Sequence, residues 1–269
     1  MIDQLPIPRS FYENTKAASE LIGYIIVFSI IISTVVVVSL SATPIIEESQ
    51  SSESARAMEY SFLTVDESVT TVQDGATNQL LEVEVPAGQL RQLDATTIQF
   101  EQSTVSKSMT IETRPMEYTA RQGHTVVYNA RFIAASPNGD AGPNTQIRHL
   151  PVESHMQKNP IVRIPELTRP SGLSAYSSSR ATVVPFEINR TERNQQANSE
   201  IFYESDGLVT VTVDTEIPSA WEAYMDESNT FSSVSRTGPN QVSANVDFSR
   251  FDGDRFTVTS HVIETVFGQ

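Results

Sequence analysis

Four histidines and a scatter of carboxylates are the residues this sequence offers for catalysis or metal binding. His149 and His155 do not have the HExxH spacing that sets two imidazoles on one helix face around zinc, so no zinc hydrolase is expected. No serine stands in a G-x-S-x-G elbow, and no glycine-rich loop is built to cradle a phosphate. The chain contains no cysteine, which excludes disulfides, thiolate metal sites and a thiol nucleophile. Asp247, Asp252 and Asp254 form a carboxylate group of the kind that hard cations favour; a tight Asp-Gly-Asp turn in an acidic protein accounts for them equally simply. Asn189-Arg190-Thr191 is the single N-x-[ST] sequon and makes Asn189 a candidate for N-glycosylation. The expectation is a protein that is not an enzyme, with no catalytic residue, no metal and no cofactor.

Composition narrows the partners. Acidic residues outnumber basic ones 33 to 18, giving a formal net charge of −15. Binding a polyanion requires clustered Lys and Arg that release counterions, and no basic stripe occurs, so nucleic acid is excluded as a partner. Lysine appears only at Lys16, Lys107 and Lys158. That bias, with abundant Asp, Glu, Ser and Thr, suits a surface that stays hydrated in strong salt.

The elements that position the head begin with one apolar run. From Leu21 to Ile46 there is no charged residue, and Leu21 to Leu40 as a helix covers about 30 Å, the hydrocarbon thickness of a bilayer. A membrane span over about residues 21–42 is expected. A secretory signal cut at its far end would have a shorter apolar part, and Ser39-Leu40-Ser41 is a poor cleavage site. Arg9 and Lys16 precede the span and the next basic residue is Arg56, so the positive-inside bias puts the first residues in the cytoplasm and the bulk of the chain outside. Ser29 and Ser33 stand four residues apart, a small-xxx-small spacing that lets helices approach closely; serines incidental to a valine-rich span are the plainer reading.

Lys16-Ala17-Ala18-Ser19-Glu20-Leu21-Ile22-Gly23, followed by Tyr-Ile-Ile-Val-Phe, resembles the class III signal of archaeal type IV pilins and archaellins, in particular the haloarchaeal type. Related signals often carry glycine at the Ala17 position and proline at the Glu20 position. The resemblance implies cutting by a prepilin peptidase between Ala17 and Ala18, with Lys16 and Ala17 as the recognised pair, removal of a cytoplasmic leader (1–17), and retention of the helix on the mature chain. It also implies partners: the membrane before assembly, and copies of itself or other pilins packed through the N-terminal helix afterwards. Glu20 would then neutralise the new amino terminus of a neighbour; read from the residues alone, it is a carboxylate in the first helical turn behind a Ser19 cap. The implied function is a structural subunit of a pilus-like surface filament serving assembly and adhesion. The alternative is an uncut, single-span anchor whose external head is a binding module of the cell envelope.

After the span the helical signal resumes. Ala55, Met58, Phe62, Val65, Val69 and Val72 are spaced 3, 4, 3, 4, 3, one apolar seam on a helix that ends near Asp74-Gly75. Docking on the chain's own head or contact with other subunits would cover it. Beyond lie short strand-like runs between turn signals, among them Leu80 to Val85, Thr125 to Ile133, Leu208 to Thr215 and Phe256 to Val266, with Val209, Val211 and Val213 alternating with polar residues. Ser219 to Met225 reads as a short helix after Pro218, with Trp221 and Tyr224 as core or as an adhesive patch. Ser136 to Pro160 and Arg190 to Ser199 read as long loops. The fold class expected is α+β: an N-terminal transmembrane and scaffold helix over residues 18–75, then a mainly antiparallel, sandwich-like β head over 76–269, placed outside the cell.

If the acidic surface is adapted to salt, diluting KCl from molar concentrations to about 0.1 M should lower the unfolding midpoint. Circular dichroism melts across the series test this, and an unchanged midpoint on dilution overturns it.

Overall fold

The computed structural model describes residues 10–137, 145–149, 159–168, 175–190, 198–251 and 253–267. Two compact units divide the chain, Met1–Ser49 and Gln50–Gln269. Helix α1 (Ser10–Gln73) begins in the first unit and ends in the second. It starts nine residues before Ser19, so Ser19 is not its cap and Glu20 is not in its first turn; no proline or glycine stands between Ser10 and Ser19 to delay the helix.

In the second unit the helix ends where the sequence indicates. Gly75 takes a φ of 126°, a conformation that costs glycine no Cβ clash. The Gly75 N–H then bonds the Val72 carbonyl at 3.2 Å and the Ala76 N–H bonds that of Thr71 at 3.1 Å, a Schellman closure of the last turn.

Among the described residues, sixteen strands follow. They are β1 (Asn78–Val85), β2 (Gly88–Gln92), β3 (Thr96–Gln102), β4 (Lys107–Thr113), β5 (Met116–Ala120), β6 (Thr125–Asn129), β7 (Phe132–Ser136) and β8 (Gln146–His149). The second half comprises β9 (Ile161–Thr168), β10 (Ala175–Ser178), β11 (Thr182–Arg190), β12 (Asn198–Tyr203), β13 (Thr210–Asp214), β14 (Phe231–Gly238), β15 (Gln241–Val246) and β16 (Arg255–Phe267), with helix α2 (Pro218–Glu227) between β13 and β14. They form three sheets. Sheet A runs β1-β11-β16-β12 with β9 also on β16; sheet B runs β10-β2-β5-β6-β7-β8; sheet C runs β14-β15-β13-β3-β4. Every pairing is antiparallel except β9 with β16. The architecture is the expected α+β one, an N-terminal helix and a sandwich-like, mainly antiparallel head.

Two apolar cores hold the head together. In the first, the seam residues of α1 pack with inward residues of sheets A and B, including Val83, Tyr118, Tyr128 and Phe186. Met58, Phe62, Val65, Val69 and Val72 are fully buried, so the chain's own head covers the seam. In the second, α2 and sheet C pack with residues of β6, β7, β9, β12 and β16. Trp221 and Tyr224 belong to this core, with Phe132 stacked on Tyr224 at 4.8 Å and edge-on to Trp221 at 5.1 Å. Alternate residues of β6 and β7 point into different cores: Val126, Tyr128 and Ile133 into the first, Val127, Phe132 and Ala134 into the second. Every residue of these two strands is buried, as a continuous apolar run with both faces covered requires.

The run expected as one strand from Thr125 to Ile133 is a hairpin. Ala130 and Arg131 form its two-residue turn with φ of 47° and 72°, the pair of left-handed residues that a type I′ turn needs. Neither is Gly or Asn, which is why the sequence did not signal it. The expected loop from Ser136 to Pro160 contains β8, and strands β11 and β12 reach into the ends of the polar stretch from Arg190 to Ser199.

Phe62 stacks on Tyr128 at 5.8 Å and has no exposed surface. Phe62→Ala should destabilise the head by about 3–5 kcal/mol, whereas Tyr60→Ala, at a side chain 71% exposed, should change it by under about 0.5 kcal/mol. Guanidinium unfolding of the full chain in detergent checks both, and equal effects of the two substitutions would contradict the docking.

Candidate functional site

Two parts of α1 carry the features with functional content. The first lies in the N-terminal unit. Ile22–Ser39 is an 18-residue stretch long and apolar enough to cross a membrane once, and none of it is buried. Tyr24 is 77% and Phe28 64% exposed. Ser29 and Ser33 do share a face: both line one shallow groove with Ile25, Ile26, Ile30 and Val37. The Ser29 hydroxyl donates to the Ile25 carbonyl at 2.7 Å, and that of Thr34 donates to Ile30 at 2.8 Å. Back-bonding of this kind satisfies each hydroxyl within the helix, the condition for placing it in hydrocarbon or against a second apolar helix. Lys16, Ala17, Ala18 and Glu20 fall in the N-terminal turns of the same helix, and their side chains lie outside the described residues.

The second part is a polar knot on the buried face of α1. Asp66 follows Phe62 by four residues and so faces the head, where it is 5% exposed. The Tyr128 hydroxyl donates to its Oδ1 at 3.0 Å, and the Arg131 guanidinium donates to Oδ1 at 3.2 Å and Oδ2 at 3.3 Å. His149 Nε2 stands 3.5 Å from Oδ2. Burial pushes the Asp66 carboxyl up, but the hydrogen bonds from His149, Arg131 and Tyr128 and the Arg131 charge outweigh it and hold it below the usual carboxylate range. The Tyr128 phenol is pushed well up, by burial first and then by the Asp66 charge. One carboxylate thus ties the helix to β6, to the left-handed turn residue Arg131 and to β8. A charge inside an otherwise apolar seam was the sequence signal for this group; its three partners are distant in sequence.

The remaining candidates are placed individually. Asn189 is half-buried near the end of β11, opposite Asn78 of β1 and Glu264 of β16. His155 and Asp252 lie outside the described residues. Asp247 accepts from the Ser249 N–H at 3.2 Å and hydroxyl at 2.6 Å and pairs with Arg250 at 3.0 Å. The Ser249 hydroxyl bond, with its backbone N–H and Arg250, holds Asp247 below the usual carboxylate range, so this carboxylate caps a turn. Among the described residues, no group of three or more His, Asp and Glu is placed to hold a metal ion.

Taken together, the chain is an α+β protein with, among the described residues, one apolar helix of membrane-spanning length and a β-rich head clamped on that helix's continuation. Residues 16–266 match the family of unknown function DUF7289, and the chain belongs to that family. No curated protein and no solved structure matches it.

Asp66→Ala should cost about 3 kcal/mol, because it leaves Arg131 and Tyr128 buried without their acceptor. The folded pKa of Asp66 is depressed, so its contribution is complete above the ordinary carboxylate value near about 3.9 and is lost as pH falls through the lower folded value. Unfolding free energy measured from pH 6 to pH 2 should therefore drop more steeply for the parent than for Asp66→Ala, and parallel curves would contradict the assignment.

Proposed function

We propose that this chain is a structural subunit of a type IV pilus-like surface filament, made as a precursor and held in the membrane by α1 until assembly. The observation that carries the reading is the contrast along one helix. Residues 22–39 are apolar on every side and bare, while the seam from Ala55 to Val72 is buried in the head. Apolar surface gains about 25 cal/mol per Å² on leaving water, so the bare stretch requires lipid or other apolar helices around it. The family match begins at Lys16 and takes in the whole apolar stretch, which supports treating the helix and its front edge as part of the protein's working design.

In this reading a prepilin peptidase removes residues 1–17 on the cytoplasmic side and exposes Ala18 as the new amino terminus. Cutting there leaves Glu20 two residues from the new terminus, where its charge faces a neighbour's ammonium in the bundle. The groove holding Ser29 and Ser33 gives close approach between helices. The head stands outside the cell, where attachment takes place. Asn189 carries the glycan if the sequon is used, read as a mass increment on its peptide.

Protein recovered from the producing cells should begin at Ala18 by amino-terminal sequencing, and sheared surface filaments should contain it. Lys16→Glu should leave the precursor uncut and abolish its appearance in filaments. An intact Met1 supports the uncut anchor instead, and a start near Thr43 a released protein; either overturns the filament reading.

A further inference from the structure

Helix α1 ends without a basic residue in its last turn, although a helix C-terminus carries partial negative charge that favours cations. Sheet A brings them. Arg163 of β9 stands level with Thr259 of β16, and Arg190 of β11 is opposite Ile263 of β16. Side chains along a strand alternate between faces, so Thr259, His261 and Ile263 share one face, and Arg163 and Arg190 flank His261 diagonally on it. Ile263 packs into the core that holds the α1 seam, which identifies this face as the one that carries the helix. Arg163 Nη1 reaches Asp74, the residue directly after α1, at 2.7 Å.

A proton on the His261 ring comes at a cost. Its Nδ1 is shielded from solvent and has no hydrogen-bond partner among the described residues, so neither a carbonyl nor a water meets it there. In the neutral ring that nitrogen stays bare, with the proton on Nε2. The imidazolium makes both nitrogens donors, which leaves a charged N–H buried without an acceptor. The charged groups facing the ring are Arg190 from β11, Arg163 from β9 and Asp74 from the end of α1. Burial first, then the Arg190 charge and that of Arg163, pull the His261 pKa below the ordinary imidazole value, and Asp74 opposes them. Asp74 is already engaged by Arg163 and its side chain is 59% exposed, so water screens its pull on a second cation.

We propose that His261 is an acid-sensitive latch between sheet A and the end of α1: neutral, it lets β9 and β11 close with β16 over the helix terminus, and charged, it loosens β9. The near end of β9, from Ile161 to Pro165, gives way first, because its strand pairing there is with β16 along one edge and Arg163 stands on it. A base whose folded pKa is depressed contributes stability that is complete above its unfolded value near about 6.5. That stability is lost as pH falls from there through the folded value. Asp66, held below the usual carboxylate range, does not titrate in the same window. The inference does not depend on filament assembly, since every group in it belongs to the head unit.

Amide hydrogen exchange of the full chain in detergent tests it, at constant KCl from pH 8 to pH 5 and corrected for the intrinsic amide rates. Exchange in Ile161 to Ile164 and in Thr257 to His261 should quicken severalfold on acidification, while β13 at the centre of sheet C stays unchanged. In His261→Gln the acceleration should vanish. A substitution that merely disturbs packing would shift exchange equally at every pH. If His261→Gln does not fold, the His261 ring resonance in the parent chain is followed instead, and its titration midpoint should lie below about 6.5. Acceleration that persists in folded His261→Gln, no acceleration in β9, or a ring midpoint at or above the ordinary value overturns the proposal.

Discussion

Everything in the head depends on covering one face of α1 from Ala55 to Val72. An amphipathic helix gains little from its own hydrogen bonds in water, and this one is fixed by what lies against its seam. Sheets A and B supply that cover, and Phe62, Val65, Val69 and Val72 lose all contact with solvent. The seam in turn brings sheet A and sheet B into one core, since Val83 and Phe186 of the first and Tyr118 and Tyr128 of the second meet at the same helix. Removing the helix would leave both sheets with an open apolar face.

Asp66 is the buried charge inside that face, and it converts a greasy contact into a directed one. Its carboxylate accepts from Tyr128 and Arg131 and meets His149. Hydrophobic burial tolerates sliding of a helix along a sheet, whereas a buried carboxylate with fixed donors does not. Arg131 is held in a left-handed backbone conformation at the β6–β7 turn, a state that costs a non-glycine residue roughly 1–2 kcal/mol. The ion pair with Asp66 offsets part of that cost, so turn and helix position are set together.

The legible parts of the fold were those fixed by local periodicity. The 3-4-3-4-3 seam, the stop at Gly75, the alternating Val209, Val211 and Val213, and the helix after Pro218 all appear as the residues indicate. Illegible were features decided by distant partners. The hairpin at Ala130-Arg131 has no turn residues to announce it, and the partner of Arg131 is Asp66, 65 residues earlier. Strand β9 contains Pro165; among the described residues its ladder pairing is with β16, along one edge. Pro185 likewise stands inside strand β11, opposite Glu82 of β1. Of the candidate sites, the Ser29 and Ser33 face was readable from spacing, whereas the group around Asp66 draws Tyr128, Arg131 and His149 from chain segments that only the fold brings together.

Strand β16 closes the argument about how such a head comes into being. It follows all the other described strands, yet it pairs with β9, β11 and β12 and sends Phe256 and Val258 into one core and Ile263 into the other. Three earlier strands must therefore wait, with unmet backbone groups, until the final stretch arrives, and pairing over such separations is slow. Sheets B and C can pair before β16 is made, but sheet A cannot be completed until it is. The head's two interiors become complete in a single late event, which makes the interval before that event the time when the chain is most vulnerable to proteolysis and clumping.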